Sequence, residues 1–393
     1  MIRRSLLAVG LAALAACGSQ KPTGTTDTPL ATDAGTGGPV DPLDAGLLPT
    51  QLVFQPAFHQ ALRWSEPLAG ETTVRMRIPL GRAGERVRVT FKAGDSGMQL
   101  VRASLARAGE AEGALASAPL PLLFGGLEGF SVGPREQRTS DPVALPVGFR
   151  EELHVSFVAS GSVAASAVEL FPGGRWGAGD FADTPGSFGT PQLRAMGVAT
   201  VAVEAFASRV LVAMGDSITE GYVEGEDDYL EAWPAVAEGL LRLPVLNAGV
   251  SGQGVDGELE NLESEILVLE GLTDCVVLLG TNDLGGTPVE RIERSLDQLY
   301  DRLRPVCRVW AATLPPKQLE HVHEDRATLN AWIRAHPRVD GVIDFEAVLA
   351  EPDDPDRFRE GLAMDHVHPS VKGHRAMGAE VARVIRADSA PAP

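Results

Sequence analysis

From about residue 207 onward the chain alternates short apolar runs with amphipathic stretches, and no other feature restricts its possible folds so tightly. Val210-Leu211-Val212-Ala213-Met214 is apolar throughout, which suits a strand buried on both faces. Comparable runs occupy 244–247, 275–279, 309–313 and 342–345. Between them, 233–241, 258–269, 289–303 and 326–335 read as helices, and a last helix covers about 371–385. Strand–helix alternation of this kind predicts an α/β fold, a parallel sheet covered by helices on both faces. Ligands of such folds bind beyond the carboxyl ends of the strands, so chemistry is expected along that rim.

Residues 50–206 have a different texture. Thr73-Val74-Arg75-Met76-Arg77-Ile78 and Arg86-Val87-Arg88-Val89-Thr90-Phe91 alternate with period two. Shorter runs at 153–158 and 167–170 also read as strands, and clusters of Gly, Pro, Asp and Ser separate them. With no long amphipathic helix in view, an all-β, sandwich-like domain is the expectation. His59 and His154 stand alone there and read as surface or structural histidines.

The amino-terminal residues 1–17 look like an export signal. Arg3 and Arg4 precede an apolar run from Leu6 to Ala16, too short to span a bilayer. Leu14-Ala15-Ala16-Cys17-Gly18 resembles a bacterial lipobox, in which Cys17 becomes the lipidated first residue of the mature chain. Residues 18–49, rich in Gly, Pro, Thr and Asp, read as a disordered linker. These features predict a lipid-anchored protein of the bacterial cell envelope, bound to membrane by its anchor only. The formal net charge is −19, or −21 once Arg3 and Arg4 leave with the leader. Such a balance disfavours nucleic acid and argues against a polyanionic substrate. Cys275 and Cys307 are the remaining cysteines. Oxidising conditions would allow them to pair, but cross-links between adjacent buried strands are awkward and buried free thiols are common. Both lie at the beginnings of predicted strands that could be neighbours, so whether they pair stays open.

Polar clusters follow the predicted strands: Gly215-Asp216-Ser217, Asn247-Ala248-Gly249-Val250-Ser251-Gly252, Gly280-Thr281-Asn282-Asp283 and, near the chain end, Asp365-His366-Val367-His368-Pro369. Ester hydrolysis needs such a set. A serine hydroxyl becomes nucleophilic when a base takes its proton, and His368 suits that task at neutral pH. Asp365, three residues earlier, can hold the other ring nitrogen. An oxyanion needs preorganised donors, for which the backbone N–H groups of Ser217 and Gly252 and the Asn282 amide are candidates. Glycine at 252 would allow close backbone approach. Ser217 could instead serve only as a helix cap, and His366 competes with His368 as base. Asp216 and Asp283 read as loop organisers. His321 and His323 lack a clear third ligand for zinc, and the acidic run 351–356 reads as a solvated turn.

These blocks resemble those of the SGNH or GDSL hydrolases: Gly-Asp-Ser continuing into Ile218-Thr219-Glu220-Gly221, then Gly252, then Gly-x-Asn-Asp, then Asp-x-x-His, in order over about 180 residues. The resemblance implies Ser217 as nucleophile, His368 as base, Asp365 as its partner, and Ser217, Gly252 and Asn282 as the oxyanion hole. It also implies a three-layer α/β/α sandwich with a flavodoxin-like parallel sheet over 207–387, followed by a short tail at 388–393. The region before it looks like that of secreted bacterial GDSL-type proteins, with Ser140-Asp141-Pro142-Val143 as a shared phrase. The expected activity is hydrolysis of short acyl esters, acetyl groups on carbohydrate, without metal or organic cofactor. Lipase, thioesterase and arylesterase activities stay open, as does a non-catalytic glycan-binding lipoprotein. Oligomeric state is not legible.

Overall fold

The computed structural model describes residues 51–223 and 228–389. Cys17 and the leader and linker expectations lie outside the described residues, as does most of the tail.

The amino-terminal region is antiparallel and β-rich. Its strands are Leu52–His59 (β1), Trp64–Pro79 (β2), Gly84–Arg107 (β3), the short Leu120–Leu122, Phe130–Val132, Gln137–Thr139 and Val143–Val147 (β4 to β7), Glu152–Ala165 (β8), Gly174–Ala178 (β9), Thr190–Gln192 (β10) and Val198–Phe206 (β11). They run in the order β1-β11-β3-β8-β2-β9-β10, and β4 to β7 pair with the long β3. The period-two runs seen in the sequence lie within β2 and β3 because alternate residues, such as Val87, Val89 and Phe91, enter the core. Stretch 167–170, expected as a strand, is a bend. Its amide groups at Ala167 and Val168 donate to the Glu220 carboxylate instead of to a neighbouring strand. His59 and His154 are buried, and burial holds both well below the usual histidine range, at about 4, so each is neutral and structural.

The carboxyl-terminal region is the expected α/β domain. Leu211–Gly215 (β12), Val245–Gly249 (β13), Asp274–Leu278 (β14), Arg308–Ala312 (β15) and Gly341–Ile343 (β16) form a parallel sheet in the order β13-β12-β14-β15-β16. The helices are Ser217–Glu220 (α1), Trp233–Leu241 (α2), Val255–Glu265 (α3), Val289–Leu303 (α4), His323–Ala335 (α5), Phe345–Leu349 (α6) and Val371–Ser389 (α7). α3 begins three residues before its expected start. Asp283, from the loop after β14, caps it by accepting from Val255 N at 3.1 Å, a long-range partner that no local pattern announces. The acidic run 351–356 contributes to a small hairpin of Ala350–Glu351 (β17) and Asp354–Phe358 (β18), not a solvated turn throughout. Asp356 pairs there with the fully buried Arg326 at 2.7 Å.

The two regions belong to one compact unit. The chain leaving β1 continues along β13, with Gln60 bridging Asn247 and Ala61 N donating to Asn247 O at 3.1 Å. The exposed edge of the parallel sheet is thereby covered by the β-rich region.

Cys275 and Cys307, whose pairing the sequence leaves open, are joined as a disulfide with Cα atoms 5.9 Å apart. Cys275 stands opposite Val309 in the ladder, and Cys307 lies just before β15 begins. The bridge therefore runs diagonally from a strand to a turn and escapes the constraint on directly paired strand residues. A cross-link spanning 32 residues is worth about 3–4 kcal/mol through the restricted unfolded chain. The double variant Cys275→Ser/Cys307→Ser should therefore lose about 2–4 kcal/mol of unfolding free energy in urea titrations, and unchanged stability would count against the pairing.

Candidate active site

Register brings the polar clusters together. Gly215, the last residue of β12, stands level with Gly249 on one side and Leu278 on the other. The chain leaves all three strands in the same direction, so Ser217, Ser251–Gly252 and Asn282 emerge along one rim. Asp216 caps α1 by accepting from Ile218 N at 2.9 Å, so Ser217 is the first helical residue and not the cap.

Ser217 Oγ lies 2.9 Å from His368 Nε2, and His368 Nδ1 lies 2.9 Å from Asp365 Oδ2. A carboxylate only accepts, so it keeps the ring proton on Nδ1 and leaves Nε2 free to accept from the serine. Asp365 Oδ1 also accepts from the backbone N–H groups of Val367 and His368, both at 2.7 Å. Burial alone would raise the Asp365 pKa; the hydrogen bonds from the His368 and Val367 amides and the imidazole outweigh it and hold the group below the usual carboxylate range. A tight return of the chain carries this pair, with Met364 N donating to His368 O and Ser370 N to Leu362 O, both at 2.9 Å. His366 is exposed, and Ser217 is paired with His368.

Among the described residues, no protein group accepts from the backbone N–H of Ser217 or Gly252. The first amide of a helix has no intrahelical partner, so at Ser217 the vacancy follows from its place at the start of α1. Gly252 has φ +80° and an added Cβ would meet nothing within 4 Å. The left-handed backbone favours glycine here, and the space beside its Cα is open. Asn282 is exposed; its Nδ2 donates to Gln253 O at 3.0 Å and, more weakly, to Asp216 Oδ2 at 3.3 Å. The amide thus lies between the neighbours of Ser217 and Gly252. Asp216 is completely buried, and burial pushes its carboxyl up to about 6. Burial also raises Asp283 and lowers Lys317, whose ammonium donates to Thr281 O at 2.8 Å.

Three participants were not legible beforehand. Tyr222 packs edge-on against the His368 ring, with centroids 4.7 Å apart. Its position directly after Gly221 was the one available signal. Lys317 reaches the Thr281 carbonyl from the segment after β15, and no sequence pattern marks it. Glu220 was quoted only as part of a motif, yet it is buried and accepts four hydrogen bonds. His323, by contrast, pairs with Asp356 at 3.2 Å, and His321 lies against Gly285.

Residues 213–376 match the model of the GDSL-like lipase/acylhydrolase family. No curated protein matches the sequence. Among solved structures, a member of the lipolytic protein G-D-S-L family from Veillonella parvula DSM 2008 is 22% identical, with a TM-score of 0.38, over 45% of this chain and 98% of that one. A catalytic mutant of an acetylxylan esterase from Geobacillus stearothermophilus is 21% identical, with a TM-score of 0.37, over 46% and 94%. A family two carbohydrate esterase from Clostridium thermocellum in complex with cellohexaose is 15% identical, with a TM-score of 0.38, over 83% and 94%. The ordered sequence blocks and the family match agree in making residues 213–376 similar to the GDSL-like lipases and acylhydrolases, which are carboxylic ester hydrolases.

Proposed function

We propose that the chain is a serine esterase working through an acyl-enzyme, and that its substrates are short acyl esters, acetyl groups on carbohydrate. The hydrogen-bonded series from Ser217 Oγ through the His368 ring to Asp365 carries this reading. Ser217 Oγ attacks the ester carbonyl as His368 Nε2 takes its proton, and Asp365 stabilises the resulting imidazolium. The carbonyl oxygen becomes an oxyanion held by the N–H groups of Ser217 and Gly252 and by the Asn282 hydrogen now in the long contact with Asp216. Collapse expels the alcohol, which leaves with the proton from His368. Water, deprotonated by the same imidazole, then releases the acid and restores Ser217. None of these steps calls for a metal or organic cofactor.

The preference for acetylated carbohydrate rests on an envelope location and on the open rim, where Gly252 and Asn282 are exposed and an ester on a bulky alcohol has room. The proposed segmentation keeps a sandwich-like β domain at 50–206 and a hydrolase domain at 207–387. For the latter, a three-layer α/β/α arrangement is supported by two separate helix groups, α2 with α6 and α7, and α3 with α4 and α5. Export and lipidation at Cys17 remain part of the proposal, and the disulfide suits an oxidising compartment.

Purified residues 18–393 should release product from a chromogenic acetate ester, and Ser217→Ala should reduce this to background. Equal turnover by both proteins would overturn the nucleophile assignment. Asn282→Ala should lower kcat by about 10²–10³-fold, whereas a change under about threefold would remove its amide from the oxyanion site. In the full precursor, Cys17→Ser should move the protein from the membrane fraction to the soluble one, and unchanged retention would defeat the anchor.

A further inference from the structure

The loop that carries the Gly252 amide is tied to the β-rich region, directly through Ala61 and Arg63 and indirectly through Glu220 of α1. At its start, Asn247 O accepts from Ala61 N at 3.1 Å. Asn247 Oδ1 in turn accepts from Gly249 N at 2.9 Å. Next, Ser251 donates through both N–H and Oγ to Glu220 Oε2, at 2.7 and 2.6 Å. The other carboxylate oxygen of Glu220 accepts from Ala167 N at 2.8 Å and Val168 N at 3.1 Å, both in the bend that follows β8. On the far side of Gly252, Gln253 Oε1 accepts from Arg63 Nη1 at 3.1 Å, and Arg63 sits between β1 and β2. Gln253 O is also the acceptor for the Asn282 amide.

Resting on the esterase reading, we propose that Glu220 and Arg63 are positioning residues that fix Gly252 and Asn282 for the oxyanion, making the β-rich region part of the catalytic apparatus and not a separable accessory module. The chemistry supports the assignment at both anchors. Glu220 is 1% exposed and accepts four hydrogen bonds, two from each region. A carboxylate is the one side chain of this length that can accept all four, since glutamine would present N–H to two donors. Gly249 lets α1 approach so closely, because a Cβ there would collide with the Glu220 backbone nitrogen. Arg63 is held by its Nε donating to Glu265 Oε2 at 2.6 Å and by Nη1 contacting Gly257 O at 3.3 Å. Lys92 of β3 pairs with the other oxygen of Glu265 at 2.7 Å. The guanidinium that reaches Gln253 is therefore set by buried charges on α3 and cannot drift without uncoupling them.

Neither residue is placed to touch the reacting carbonyl, so their effect should fall on turnover and leave substrate binding alone. Full-length mature protein carrying Glu220→Gln, and separately Arg63→Lys, is assayed with a chromogenic acetate ester and by amide hydrogen exchange over 249–254. The Cys275→Ser/Cys307→Ser protein serves as a control that is destabilised far from this loop. Expected for both positioning variants are a kcat lowered about 10-fold or more, KM within about twofold, and faster exchange in the loop, with kcat unchanged in the control at a temperature where all are folded. A kcat within about twofold of the parent, or loop exchange no faster than in the control, overturns the proposal. Should the parent itself lack esterase activity, the functional reading fails, while the exchange data still decide whether the loop is held from the β-rich region.

Discussion

Everything at the candidate site depends on the parallel register of β12 between β13 and β14. Because Gly215 is level with Gly249 and Leu278, three loops leave the sheet at one height. Ser217, Gly252 and Asn282 then need only two to four further residues each to reach a common space. A slip of one residue would turn every side chain of β12 to the opposite face and carry Ser217 away from His368. The continuous apolar character of these strands, buried on both faces, is what prevents the slip.

The β-rich region adds a second constraint. A parallel sheet has exposed edges, and here β13, whose following loop bears Gly252, is an edge strand. The continuation of β1 covers that edge, and charged groups of both regions are buried where they meet. Arg63 and Lys92 face Glu258 and Glu265, and burial pushes Glu258 up to about 7 against the pull of Arg63. Charges are expensive to bury unless paired, so the contact is specific in a way that an apolar one would not be. The Phe58, Phe171 and Tyr229 rings, with centroids 5.3 to 5.8 Å apart, supply apolar packing at the same junction.

The α/β half was legible because its signals are local and periodic. Helices at Trp233–Leu241 and Val289–Leu303 fall where the apolar spacing put them, and the strands differ by a residue or so at their ends. Misreadings arose where a distant group decides local structure. Stretch 167–170 has strand-like composition, but Glu220 takes its amides; α3 starts early because Asp283 caps it. The disulfide stayed open because its feasibility turned on whether Cys307 lay inside β15 or one residue before it. At the site, the residues that meet at the rim were readable from ordered blocks. Tyr222, Lys317 and the bridging role of Glu220 were not, since each acts through contacts between segments far apart in sequence.

The central claim is that the hydroxyl at 217 is activated by its folded surroundings. Labelling with an organophosphonate ester followed by peptide mass spectrometry tests it most directly, because the probe forms a stable bond only with an activated serine. The account predicts a single adduct on the peptide containing Ser217, formed by native protein and not by heat-unfolded protein. Labelling spread over several serines, or none at 217 in the folded protein, would contradict it.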